Sequence, residues 1–107
     1  MPTSSDLTPL PLADPSSAER WPMAAVLVVD DEPGMCNFLA KTLATRVGSV
    51  QVAASAEVAD GLVQRHRFDL IVLDVSLPGQ SGIAWLRDLR SRGFAGEVVL
   101  ITAFADL

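Results

Sequence analysis

The sequence predicts an α/β fold on a doubly wound parallel sheet with strand order 2-1-3-4, and three observations predict it. Short apolar segments alternate with stretches of helical periodicity, the pattern of strands buried on both faces by crossover helices. Three of these segments stop at reactive polar residues: Val26-Leu27-Val28-Val29 at Asp30-Asp31, Leu70-Ile71-Val72-Leu73 at Asp74, and Val98-Val99-Leu100-Ile101 at Thr102. The connections are short, and right-handed crossovers lay the second strand on one side of the first and the third and fourth on the other. All strands then point one way. Their polar ends share the carboxyl edge, where open α/β sheets place ligand sites, with the topological switch between strands one and three.

The first strand is expected near 25–30. Pro33 and Gly34 turn the chain into a helix over about 34–46. Met35, Phe38, Leu39, Thr42 and Leu43 recur at three- and four-residue spacing as its buried face, and Gly48 is read as its stop. A second strand follows at 50–53. Ser55 caps a helix whose Val58, Ala59, Leu62 and Val63 face inward and which Gly61 weakens. Arg65-His66-Arg67 is a polar stop before the third strand, 69–74. The loop 76–82, shaped by Pro78 and Gly79, leads to a helix over 82–92 capped by Ser81. Ile83, Leu86, Leu89 and Arg90 set its phase, and Arg87, Asp88 and Arg92 are outward. Gly93 and Gly96 bracket the return to the fourth strand, 97–102.

At 107 residues the chain has room for one small domain. Half its residues are hydrophobic and 20% charged, a globular composition. The net charge of -5 argues against nucleic acid or an anionic membrane as a direct partner. No apolar run approaches the roughly 18 residues of a membrane span. The single cysteine, Cys36, excludes an internal disulfide and any multi-cysteine metal site, and its place on the first helix marks it as a small buried residue. Residues 1–23 hold five of the seven prolines, with serines between them, and lack both a basic start and an apolar core. They read as a flexible tail rather than an export signal, leaving 24–107 as the domain and the cytoplasm as its expected location.

Three carboxylates gathered at one edge repel unless protons or a cation intervene. Oxygen ligands suit Mg²⁺, and a carboxylate beside such an ion can attack a phosphoryl group to form an aspartyl phosphate. A lone Asp at a strand end is usually a turn or cap. The weight lies in the joint pattern of acid pair, third acid and threonine.

Those residues resemble the receiver domain of two-component response regulators. The matching text is Val28-Val29-Asp30-Asp31-Glu32-Pro33, then Asp69 through Gly79, Ser81-Gly82, and Leu100-Ile101-Thr102-Ala103. The resemblance covers about 24–107 and looks strongest to receivers on transcription activators that also carry an ATPase and a DNA-binding domain. It implies a flavodoxin-like fold in which Asp74 accepts a phosphoryl group from a sensor histidine kinase or phosphotransfer protein. By the same resemblance Asp31 binds Mg²⁺ directly, Asp30 through water, and the backbone carbonyl of Ser76 completes the protein ligands. Glu32 is assigned to the helix start rather than the metal shell. Thr102 would turn its hydroxyl to the new phosphoryl oxygen and draw the next loop inward, switching an output domain outside this chain. Ser76 and Phe104 match the positions that flank the phosphoryl group and tune its hydrolysis.

The family also places a lysine after a fifth strand, whereas the one lysine here is Lys41 on the first helix. The fifth strand and the last two helices are missing from the pattern, so the fourth strand becomes an apolar edge that invites pairing. The expectation is a fragment of a longer protein, or else an aggregating or domain-swapped species. Two rival readings accompany the phosphoacceptor. One is a phosphorylation-independent interaction module. The other is a Mg²⁺-dependent phosphatase or phosphotransferase, a class that shows an acid two residues after its nucleophile, whereas Asp74 is followed by Val75 and Ser76.

Overall fold

The computed structural model describes residues 20–102. Its elements are β1 (Trp21–Val29), α1 (Pro33–Ala44), β2 (Val47–Ala53), α2 (Ala56–Arg65), β3 (Leu70–Asp74), α3 (Gly82–Ser91) and β4 (Glu97–Ile101). The four strands are parallel and ordered β2-β1-β3-β4, the predicted topology. Register aligns Val28 with Val52 and Val72, and Val72 with Val99. Because strand side chains alternate, this row and the row of Ala53, Val29, Leu73 and Leu100 lie on opposite faces.

Helices α2 and α3 cover one face. Leu27, Val29, Ala53, Ile71 and Leu73 pack there with Ala56, Ala59, Phe68, Leu77, Trp85 and Leu89. Helix α1 covers the other, where Val26, Val28 and Val72 are buried beneath Cys36, Leu39 and Leu43. Each helix starts on a side-chain cap. Glu32 accepts from the Met35 N–H with Pro33 in the first turn, Ser55 from Val58, and Ser81 from Ala84, satisfying amide donors that the helix itself leaves free.

Several packing expectations are corrected. In α1 the inward row is Cys36, Leu39 and Leu43, while Phe38 is 62% exposed and Thr42 is also exposed. In α2 Ala56 and Ala59 are buried and Val58 is exposed. In α3 the buried row is Gly82, Trp85 and Leu89, and Ile83 is exposed. Trp85, the bulkiest fully buried side chain, lies outside the predicted phase. Its indole N–H donates to Asp60 Oδ1 at 3.0 Å.

Strand β1 begins at Trp21, four residues before the expected start, and its register shifts between Trp21 and Ala25. The tail expectation therefore meets the structure only at Arg20 to Met23, since residues 1–19 lie outside the described range. Gly48 is not the stop of α1, which is capped at Thr45; it lies inside β2. A Cβ there would come within 2.1 Å of the Pro22 carbonyl oxygen, so glycine is required by the close approach of β1 to β2.

Candidate metal centre

At the carboxyl edge, β1 delivers Asp30 and Asp31 and the neighbouring β3 delivers Asp74. One carboxylate oxygen from each lies within 4.8 Å of the others. Among the described residues this is the one group of acids, histidines or cysteines arranged to hold a cation. Asp30 and Asp74 are 1% and 3% exposed, and Asp31 is open to solvent. Each buried acid is oriented by the backbone two residues on: the Glu32 N–H donates to Asp30 Oδ1 and the Ser76 N–H to Asp74 Oδ1, both at 2.9 Å.

Asp30 Oδ2 is buried and has no hydrogen-bond donor. The adjacent Asp74 carboxyl could offer it one only if one of the two acids kept a proton. Burial is the main reason that the Asp30 pKa is pushed up; the Glu32 N–H opposes the rise, and the charges of Asp74 and Asp31 add to it. Leaving a buried acceptor unsatisfied beside two like charges is costly. A hard divalent cation removes both problems, and an all-oxygen donor set suits Mg²⁺. The residues present therefore fit the ion.

The surrounding backbone is fitted to the site. Val75 N–H donates to the Ile101 carbonyl at 3.0 Å, and Ile101 is the register partner of Asp74. Thr102 follows directly, so it shares the edge with the acids and is exposed. Gly82 opens α3 against β3: a Cβ there would lie 2.3 Å from the Asp74 carbonyl oxygen. The family motif contains this glycine, but only the packing reveals its reason. Ser76 is exposed, Leu77 is buried as the loop's anchor, and Gly79 takes a φ of 77° that favours glycine.

Cys36 is half-buried and donates its S–H to the Asp30 carbonyl. Burial, then the charges of Asp30 and Glu32, pushes its pKa up, so it is held as the thiol. Lys41 lies in the last turn of α1, about 12 Å along the helix axis from Pro33, and belongs to a different region of the surface. Phe104 lies outside the described residues.

A family model for the response regulator receiver domain matches residues 26–107. The chain belongs to this receiver-domain family of two-component response regulators. It is 34% identical over 88 residues to the transcriptional regulatory protein MalR of Bacillus subtilis, covering 79% of this chain and 37% of MalR. It is 38% identical over 78 residues to the probable transcriptional regulatory protein TcrX of Mycobacterium tuberculosis, covering 73% of this chain and 33% of TcrX. The chain thus spans about a third of the length of these curated relatives. Its fold matches the response regulator TrrA of Thermotoga maritima, solved in complex with Mg(2+)-BeF, with a TM-score of 0.71 and 30% identity over 78% of this chain and 72% of that one. No helix among the described residues is long and apolar enough to cross a membrane.

Proposed function

We propose that this receiver is a phosphoacceptor, taking a phosphoryl group onto Asp74 from a sensor histidine kinase or phosphotransfer protein. The observation that carries the reading is the convergence of Asp30, Asp31 and Asp74 around a buried Asp30 oxygen that has no donor. Asp30, Asp31, Asp74 and the Ser76 backbone carbonyl would hold Mg²⁺, in keeping with the Mg(2+)-BeF complex of TrrA. Bound there, the ion would neutralise the charge of the incoming phosphoryl oxygens.

The protein's own part is alignment. The Ser76 N–H fixes one Asp74 oxygen, and burial limits the carboxylate to approach from the open edge. An Asp74 oxygen forms a bond to phosphorus as the donor's P–N bond breaks, and the imidazole leaves with the electron pair and takes up a proton. Asp30 and Asp31 stay in place through the transfer. The Thr102 hydroxyl then donates to a phosphoryl oxygen, biasing a two-state loop that reports to an output domain. The names of MalR and TcrX support transcription as that output, and the cytoplasm is the setting that this proposal assigns to it. The protein acts as a switch, its only chemistry being its own phosphorylation and dephosphorylation.

Incubation with acetyl phosphate and Mg²⁺, followed by intact mass and peptide mapping, tests the reading. One phosphoryl group on Asp74, not formed when Mg²⁺ is chelated beforehand and absent from Asp74→Asn, is the expected result. A folded protein that binds Mg²⁺ but takes no label would instead be a phosphorylation-independent interaction module. Rapid turnover of an added phosphoester would make it an enzyme.

A further inference from the structure

Cys36 has no part in the chemistry above, yet it is tied to the acidic site more closely than packing requires. Its Sγ lies 2.9 Å from the backbone carbonyl oxygen of Asp30, six residues earlier. The same turn is closed by three further bonds. The Cys36 N–H donates to the Glu32 carbonyl at 3.1 Å, the Glu32 N–H to Asp30 Oδ1 at 2.9 Å, and the Met35 N–H to Glu32 Oε1 at 2.7 Å. The carbonyl that the thiol grips belongs to the peptide joining Asp30 to Asp31. Pinning that oxygen restrains ψ of Asp30, the backbone torsion that sets where Asp31 and its carboxylate stand relative to Asp30. The placement of the Asp31 carboxylate beside the unsatisfied Oδ2 of the 99% buried Asp30 therefore depends on this peptide.

We propose that Cys36 is a positioning residue for the cation site, its S–H holding the Asp30–Asp31 peptide so that the doublet and Asp74 aim oxygens at one ion. The inference rests on the Mg²⁺ reading of the site. It assigns the cysteine a hydrogen-bonding role reaching from α1 to the end of β1, with no redox or nucleophilic chemistry.

The test uses the full chain and Mg²⁺ alone, titrated calorimetrically without phosphodonor, with thermal melts in chelator alongside. Cys36→Ala removes the donor, Cys36→Val keeps the bulk without a donor, and Cys36→Ser restores a donor in the same direction. Loss of one buried hydrogen bond should raise the Mg²⁺ Kd on the order of threefold or more in the Ala and Val variants. The Ser variant should bind like the parent. Equal affinity in Ala, Val and Ser, with differences only in melting temperature, would mean that Cys36 merely packs and would overturn the proposal. A parent protein that binds no Mg²⁺ would overturn the metal reading itself, and that result is distinct from equal binding by all three variants.

Discussion

The two faces of the sheet are built differently. The face under α2 and α3 buries Trp85, Leu89, Ala56 and Ala59 from the helices against Leu27, Val29, Ile71 and Leu73. The face under α1 buries only strand residues, Val26, Val28 and Val72, and no residue of α1 itself is fully buried. Along one row of this face Val28 and Val72 are covered, while the flanking Val52 and Val99 are 43% and 48% exposed. By alternation, Asp30 and Asp74 continue the strand positions of Val28 and Val72, so the acids extend the thinner face. Stability is concentrated on one side of the sheet and the site on the other. A site that must bind an ion and a phosphoryl group is thus kept next to the part of the structure with the least packing to lose.

The largest effect expected from this asymmetry is at Trp85. Trp85→Ala should cost about 3–5 kcal/mol, through the cavity and the loss of the indole bond to Asp60. Leu39→Ala, on the half-buried row of α1, should cost about 2 kcal/mol or less. Urea unfolding of both variants measures the difference. Equal losses would break the contrast between the faces.

Next in size is Gly82, where α3 meets the end of β3. Gly82→Ala places a Cβ against the Asp74 carbonyl and should cost about 1–3 kcal/mol. Because the atom it displaces belongs to Asp74, Mg²⁺ affinity should fall together with stability. A variant with lower stability and unchanged Mg²⁺ affinity would show that α3 supports the fold without guiding the site.

Asp30 sharpens the comparison through pH. Its folded-state pKa is raised, so the folded protein binds the proton more tightly than the unfolded chain does. Its contribution is favourable below the unfolded value, near 3.8, and is lost as pH rises through the folded value. Without Mg²⁺, Asp30→Asn should therefore gain stability relative to the parent as pH rises above the unfolded value. Asp60, on the thicker face, behaves oppositely. Its pKa is lowered by the hydrogen bonds from Trp85 and Arg92, so its contribution is present above the unfolded value and is lost as pH falls through the folded one. Asp60→Asn should narrow the stability gap to the parent in acid. Melting curves across pH, in chelator, check both signs.

How the sequence could be read follows the same division. The strand order, the caps Ser55 and Ser81, and the meeting of the three acids depend on local signals: apolar runs, turn residues and a parallel edge. Helix phase depends on what lies beneath. In α3 the expected phase of Ile83, Leu86, Leu89 and Arg90 passes over Trp85, whereas the observed one buries Trp85 and gives its N–H a partner in Asp60. Gly48 reads as a helix stop because glycine often is one, whereas its cause is the Pro22 carbonyl on a strand remote in sequence. Cys36 showed no chemistry in the sequence because its partner is a backbone carbonyl, which no residue type reveals.

The smallest predicted effect is the sharpest test of the thinner face. Phe38 recurs at helical spacing with Leu39 and Leu43, and hydrophobicity alone makes it the strongest anchor of α1. In the structure its ring is 62% exposed, because the row Cys36, Leu39 and Leu43 fills the ground above the two central strands. Little apolar area is returned to water when such a ring is removed, so Phe38→Ser should change stability by no more than about 0.5 kcal/mol. A loss of about 2 kcal/mol or more in urea unfolding would require Phe38 to be covered. It would also mean that α1 turns its other side to the sheet, displacing Cys36 from Asp30.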